Sequence, residues 1–344
     1  MRVGTFVLAA QFPGQGQQEA LHRAVRTAEA AEEAGLDSVW LAEHHFVPYG
    51  VCPSAVTLAA LLLGRTRRLR VGTAVSVLPS AHPVALGEQA ALLHVASGGR
   101  FTLGVGRGGP WVDLEVFGSG LPAYEGGFPE SLDLLLRWLR EPRVGAQGER
   151  FAFREVAVVP GPGELIGGPA SPEVVVACTS PKSVRLAAER GLPMLLGMHC
   201  GDEEKAEMVG CWERCAREAG RTPDEIARIG AGHVSAGVVQ LADRGADAAE
   251  ALVKAMPGWL KQGLDAHVTV DGRHRAMRDP VAYTELLCSL HAVGTPRLAA
   301  DRLAATSERT GITRFALLAE GSGELAATEE NVRRLGAEVL PLLV

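Results

Sequence analysis

The chain has 344 residues and a formal net charge of −6, with 47% hydrophobic and 22% charged residues, the balance of an ordinary globular protein. Mild acidity without a basic cluster argues against nucleic acid or an anionic membrane as the main partner. No run approaches the roughly 20 apolar residues of a membrane span, and the opening apolar run is too short for a signal segment, so a cytoplasmic protein is expected.

Along the chain, short apolar runs alternate with longer amphipathic segments, the signature of βαβ units on a parallel sheet. Val3–Ala9 reads as a strand, and Glu19–Ala34 as a helix stopped by Gly35. Ser38–Ala42 is the next strand, followed by a helix over Ser54–Leu63 and a strand over Leu69–Val77. Pro83 opens a helix to Ala96, a favoured place for proline. Phe101–Val105 is the fourth strand and Glu125–Leu139 the helix after it. The Gly- and Pro-rich stretch Arg143–Pro172 reads as an excursion with hairpin strands before the alternation resumes at Val174–Cys178. A helix over Pro181–Arg190, a strand over Pro193–Leu196 and a helix over Asp202–Ala219 follow, then a strand over Gly230–Gln240 and a helix over Ala246–Lys261. Gln262–Asp279, with His267, Arg273, His274 and Arg275, reads as a long mobile loop. Helix Arg297–Thr310, strand Arg314–Ala319 and helix Ala326–Leu340 complete the chain.

That makes about eight βα units, which fit one α/β domain over residues 1–344: a (β/α)₈ TIM barrel with an insertion between the fourth and fifth units and a mobile loop near the seventh. An open doubly wound sheet is the alternative, weakened because no G-x-G-x-x-G follows the first strand. The six cysteines form no regular framework and suit reduced thiols. His199, Cys200, Cys211 and Cys215 lack the paired spacing of a zinc set, so no metal is expected.

In a barrel, catalytic groups belong at the C-terminal ends of the strands, and three places stand out. The first is Glu43-His44-His45-Phe46, after a strand. Imidazole titrates near neutrality and can act as base or acid, although a His pair alone more often serves packing. The second is Gly104-Val105-Gly106-Arg107-Gly108-Gly109, where glycines admit close backbone approach and Arg107 offers a planar fork for phosphate. The third is Thr179-Ser180-Pro181-Lys182-Ser183, which caps a helix or, with free N–H groups and hydroxyls, holds a phosphate. Arg107 and this helix start leave adjacent strands, so one phosphate could meet both.

Val39-Trp40-Leu41-Ala42-Glu43-His44-His45-Phe46 closely resembles the bacterial luciferase-like family, in particular its alpha-subunit type. The same holds for Val71-Gly72-Thr73-Ala74, Leu78-Pro79-Ser80-Ala81-His82-Pro83-Val84, Gly99-Arg100-Phe101 with Arg107-Gly108, Asp113 with Val116-Phe117-Gly118, Gly191-Leu192-Pro193-Met194, and Val293-Gly294-Thr295-Pro296. The resemblance implies a (β/α)₈ barrel that binds reduced FMN, supplied by a separate flavin reductase. It further implies a two-component monooxygenase that oxygenates a small substrate with molecular oxygen through a peroxyflavin. By the same resemblance His44 is the catalytic base or proton donor. Arg107, Thr179, Ser180 and Ser183 would hold the flavin phosphate, with Gly106 and Gly108 beside the cofactor and Ala74-Val75 a cis peptide under its ring. His45, Asp113, Met198 and Trp259 would shape the substrate site.

Gly106 stands where the luciferase alpha subunit has a reactive Cys, and Thr179 replaces an acidic residue; these departures put a long-chain aldehyde substrate in doubt. Abundant Arg and Ala suggest a GC-rich genome and, with it, a tailoring step in antibiotic biosynthesis. Family members usually form dimers through the early barrel helices, so a homodimer is expected. Three rival functions share the resemblance: a deazaflavin-dependent oxidoreductase, a true light-emitting subunit, and a non-catalytic partner subunit.

Overall fold

Strands covered on both faces must be apolar nearly throughout, and eight such runs meet that demand here. They are β1 (Arg2–Val7), β2 (Ser38–Leu41), β3 (Arg70–Thr73), β4 (Phe101–Gly106), β5 (Glu173–Cys178), β6 (Met194–Leu196), β7 (Val234–Leu241) and β8 (Arg314–Leu318). In the computed structural model, which describes residues 1–273 and 278–343, each pairs in parallel with the next, and β8 returns to β1, closing a TIM-type barrel. The period of two along each strand divides the core. Phe6, Trp40, Val175, Leu195, Ala236 and Ala316 fill the interior, while Val3, Val39, Val71, Leu103, Val176 and Phe315 pack under the surrounding helices.

The insertion lies after helix Phe128–Arg140, where Arg143–Gln147 and Ala152–Ala157 form an antiparallel hairpin outside the barrel. The seam between the first and last strands is locked by buried charge. Glu320 Oε1 accepts from Leu8 N at 2.6 Å, its Oε2 lies 3.5 Å from Arg23 Nε, and Arg23 Nη1 donates to Gly323 O at 2.7 Å.

Several elements differ from the sequence reading. The strand expected over Leu69–Val77 breaks at the Ala74–Val75 peptide, which is cis, and resumes as Ser76–Val77 beside the end of β4. The strand expected over Gly230–Gln240 begins only at Val234, because Gly230 ends a separate helix, Pro223–Gly230, whose Thr222 cap accepts from Glu225 N, and a short turn intervenes. The loop expected over Gln262–Asp279 begins later, because helix Gly245–Asp265 runs past Pro257 and Lys261. Its residues 266–273 lie against the β4 loop: Val112 N donates to Val268 O at 2.9 Å and Val270 N to Pro110 O at 2.9 Å. His274 and Arg275 fall outside the described residues. Helix Pro280–Leu290 and strand Ala292–Gly294 add to the seventh unit.

Buried imidazoles give the fold a pH dependence. Burial pushes the pKa of His233 and His291 down to about 4; His233 Nδ1 accepts from Met194 N, and His291 Nε2 faces Met198 O. Their unfolded pKa is roughly 6.5, so below that value the unfolded chain takes up protons that the folded chain refuses. Stability contributed by the neutral rings is complete above pH ~6.5 and drains away toward pH 4. Melting temperatures at pH 7, 6 and 5 should fall in that order; a flat profile would show that these rings protonate in place.

Candidate active site

At the C-terminal end of the barrel, β4 and β5 run side by side with Val105 opposite Val176, which brings their following loops together. Between them opens a cleft of about 250 Å³ lined by Val75, Arg107, Thr179, Ser180, Lys182 and Ser183, with Gly106, Gly108 and Tyr124 completing its walls. The expected convergence of Arg107 with the start of helix Pro181–Glu189 is therefore present.

The helix start is already well ordered by its own side chains. Ser180 is extended and its Oγ accepts from Ser183 N at 3.3 Å. Ser183 Oγ accepts from Thr179 N at 3.2 Å and Ser180 N at 3.1 Å, and donates to Ser180 O at 2.8 Å. The two serine hydroxyls are thus committed to a capping box. Arg107 and Lys182 are the charged donors of the cleft, with Glu125 as an opposing carboxylate. The Arg107 guanidinium lies 4.2 Å from the centre of the Tyr124 ring, a cation–π contact that holds it against the wall. Lys182 and Tyr124 were not assigned from the sequence. Lys182 stood in the quoted Ser-Pro-Lys-Ser string; Tyr124 is delivered by the π-helical turn Ala123–Gly127, which no spacing rule announces. Replacing Ser180 by alanine removes the cap and should cost about 1 kcal/mol of stability, measured by chemical denaturation; an unchanged midpoint would mean that Ser183 sustains the turn alone.

The glycines of the β4 loop answer first to packing. A Cβ on Gly106 would lie 2.5 Å from Val75 Cγ2, and one on Gly108 would lie 2.8 Å from Val77 Cγ1, with φ +66° at Gly108 as well. Thr73 Oγ1 donates to Gly104 O at 2.6 Å and accepts from Gly104 N at 2.9 Å, fixing the strand that carries Ala74–Val75. The segment after it is tied by Glu43, whose Oε1 accepts from Val77 N at 2.9 Å and Oε2 from Ala55 N at 3.0 Å.

His44 does not line the Arg107 cleft. Its ring meets Tyr49 edge-on, with centres 5.0 Å apart, and Tyr49 stacks on Trp259 at 4.9 Å. Among the described residues Nδ1 of His44 is enclosed without a hydrogen-bond partner, and Gly50 packs so close that a Cβ there would fall 2.7 Å from it. Burial, then the charges of His267 and His45, push the pKa down to about 3, so the ring is neutral at neutral pH. The Ala74–Val75 pair joins the two regions: Ala74 packs against the interior cluster that takes in Tyr49, Met198 and Trp259, while Val75 lines the cleft.

The remaining expected residues scatter around this centre. His45 turns away from His44, 3.7 Å from Glu43 and edge-on to Phe117, in a separate cleft of about 160 Å³ with Ser76 and Ser80. Asp113 is buried, with Oδ2 accepting from Ser80 Oγ at 2.6 Å and Oδ1 without a hydrogen-bond partner among the described residues. Met198 is buried in the interior cluster. Trp259 is wholly buried between Phe12 and Tyr49 and donates from Nε1 to Tyr49 O at 3.0 Å, so it braces the ring cluster and lines no described cleft. His267, from the β7 unit, packs on Trp111 at 4.6 Å and on Tyr49 at 6.1 Å, roofing the same cluster. Among the described residues no three His, Cys, Asp or Glu side chains gather as a metal site, and no helix is long and apolar enough to cross a membrane.

The residues fit the phosphate-bearing arm of a flavin mononucleotide: two cationic side chains, a hydroxyl at Thr179 and a helix start around one cleft. The cleft by itself matches that arm rather than the whole molecule.

Comparison with known proteins bears on the family and the fold. The family model of luciferase-like monooxygenases matches residues 1–314. The alkanal monooxygenase alpha chain of the Kryptophanaron alfredi symbiont is 35% identical over 226 residues, covering 66% of this chain and 62% of that one. An alkanal monooxygenase alpha chain of Photorhabdus luminescens is 29% identical over 360 residues, covering 100% and 98%. Among solved structures, the monooxygenase RslO1 from Streptomyces bottropensis superposes with a TM-score of 0.78 at 22% identity, covering 99% of both chains. The oxygenating constituent of 3,6-diketocamphane monooxygenase from Pseudomonas putida, in complex with FMN, gives 0.76 at 22% identity, covering 100% of this chain and 99% of that one. At these identities the structural likeness establishes the shared barrel.

Proposed function

This chain belongs to the luciferase-like monooxygenase family, and on that footing we propose that it oxygenates a small, largely apolar organic molecule with reduced FMN and molecular oxygen. The observation that supports the reading is the Ala74–Val75 pair joining the cationic cleft, which Val75 lines, to the interior cluster that Ala74 packs against and that takes in Tyr49, the ring His44 meets edge-on. When bound, reduced FMN supplies the electrons that activate oxygen.

Arg107 and Lys182 hold the phosphate, Arg107 as a fork steadied on Tyr124 and Lys182 as a point charge. Thr179 adds a hydroxyl, and the Ser180–Ser183 box keeps the helix start in place before anything binds, which lowers the ordering cost of binding. Val75, Gly106 and Gly108 form the wall against which the cofactor rests. His44, neutral and with Nδ1 closed off, manages a proton at Nε2. Tyr49, Trp259, Trp111 and His267 exclude water from that end. Met198 borders the substrate space, with His45 and Asp113 shaping its edge.

A separate flavin reductase supplies the reduced cofactor, and the substrate is a secondary-metabolite intermediate. The protein works as a homodimer, joined at helices Gln17–Glu33 and Ala55–Arg65, where Leu21 and Leu61 are exposed. The test is an anaerobic titration with reduced FMN and with a reduced deazaflavin, followed by a screen for substrate-dependent oxygen uptake. Tight binding of reduced FMN and oxygen uptake with at least one substrate are expected. Preference for the deazaflavin without oxygen uptake would replace this reading with hydride transfer, and a pure chain that binds neither would make it a partner subunit.

A further inference from the structure

A second cavity, of about 480 Å³, opens at the opposite end of the barrel, where the strands begin. The period of two along each strand turns Arg2 of β1, Arg70 of β3, Glu173 of β5 and Arg314 of β8 toward this floor, and Arg140 and Arg228 reach its rim from helices Phe128–Arg140 and Pro223–Gly230. Five arginines therefore share the cavity with a single carboxylate. That carboxylate is already engaged: Glu173 Oε1 accepts from Arg314 Nη1 at 2.7 Å and Oε2 from Nη2 at 3.0 Å.

The Arg314–Glu173 pair spans β5 and β8 across the barrel and is all that a stabilising floor requires. The other four arginines add repulsion. Among the described residues Arg2, Arg70, Arg140 and Arg228 have no ion pair, and Nε of Arg70 is enclosed without a hydrogen-bond partner. Like charges gathered around one concavity reinforce one another's field and draw in counter-charge. This happens on a chain whose overall charge is −6, so the positive floor is a local feature running against the general balance.

We propose that this floor cavity is a binding site for a small phosphate-bearing molecule carrying at least two negative charges, distinct from the Arg107 cleft at the other end of the barrel. Guanidinium forks converging from three strands and two helices suit the tetrahedral oxygens of phosphate better than a planar carboxylate. The volume admits more than one phosphate group. Glu173, locked on Arg314, sets one wall and leaves Arg2, Arg70, Arg140 and Arg228 for the ligand.

Calorimetric titration of the full chain with inorganic pyrophosphate and, separately, with ADP tests this site. Saturable binding is expected in the parent and in Arg107→Ala, with affinity lowered at least tenfold in Arg2→Gln/Arg70→Gln. Arg2→Gln and Arg228→Gln, each at an exposed position, keep the test valid should the double variant fold poorly, and each should weaken binding without altering the circular dichroism spectrum. ADP binding more tightly than pyrophosphate would identify a nucleotide, and equal affinity a site that reads phosphate alone. Unchanged affinity in the floor variants, loss of binding in Arg107→Ala, or no binding beyond that of chloride or sulfate would overturn the proposal.

Discussion

Replacing His44 by alanine is expected to cut substrate-dependent oxygenation by about 10²–10⁴-fold, the usual worth of a positioned acid or base, while FMN affinity stays near the parent value. The separation follows from placement. His44 is absent from the walls of the Arg107 cleft, and its contacts are Tyr49 and the close backbone at Gly50. Burial pushes its pKa down to about 3, so the ring is neutral across the working pH range and offers Nε2 as a positioned hydrogen-bonding group without a standing charge, its basicity depending on a charge that develops beside it in the reaction. His45→Ala is the contrasting variant: that ring lies in a different cleft beside Phe117, at the edge of the substrate space, so it should raise the KM for substrate and leave kcat much less affected than His44→Ala does. Parental turnover by the His44 variant would remove the assigned role. A parallel collapse of FMN binding would mean that the ring supports the fold of the site instead.

Arg107→Ala should raise the dissociation constant for FMN by about 10- to 150-fold, as a charge-assisted contact of roughly 1.5–3 kcal/mol implies, with riboflavin affinity almost unchanged. The contrast isolates the phosphate, because riboflavin lacks it. Lys182→Ala should have a smaller effect in the same direction, since a single ammonium offers a point charge where the guanidinium offers a fork. The Arg107 effect should also shrink with added salt, as expected for a guanidinium that reaches solvent. Equal losses for FMN and riboflavin would show that Arg107 shapes the wall and does not read the phosphate.

Much of the barrel was legible because its signals are local. Pro83 and Pro181 mark helix starts that the structure keeps at those residues, and the apolar runs of β1, β2, β4 and β5 fall where periodicity placed them. The failures share a cause. The segment 69–77 is continuous in composition, and the cis bond that divides it at Ala74–Val75 leaves no mark in residue type. Helix Pro223–Gly230 is eight residues long and merges with the apolar run after it, so only its Thr-Pro start distinguished it.

The site was legible in its anchors and less so in its grouping. Arg107 and the Thr179–Ser183 turn were paired correctly, since adjacent strands deliver them. Trp259 and His45 could be named but not aimed: the first faces Tyr49 and Phe12, the second Glu43 and Phe117. Side-chain direction at the mouth depends on loops such as 266–273, whose contacts with 110–112 are backbone bonds that carry no residue code.

Val75 and position 106 divide one small parcel of space between them. With valine at 75, its methyl groups occupy what a side chain at 106 would need, so an oxidisable thiol cannot simply be grafted there. Engineers seeking one should shrink residue 75 first; random libraries that vary 106 alone would be expected to return only glycine.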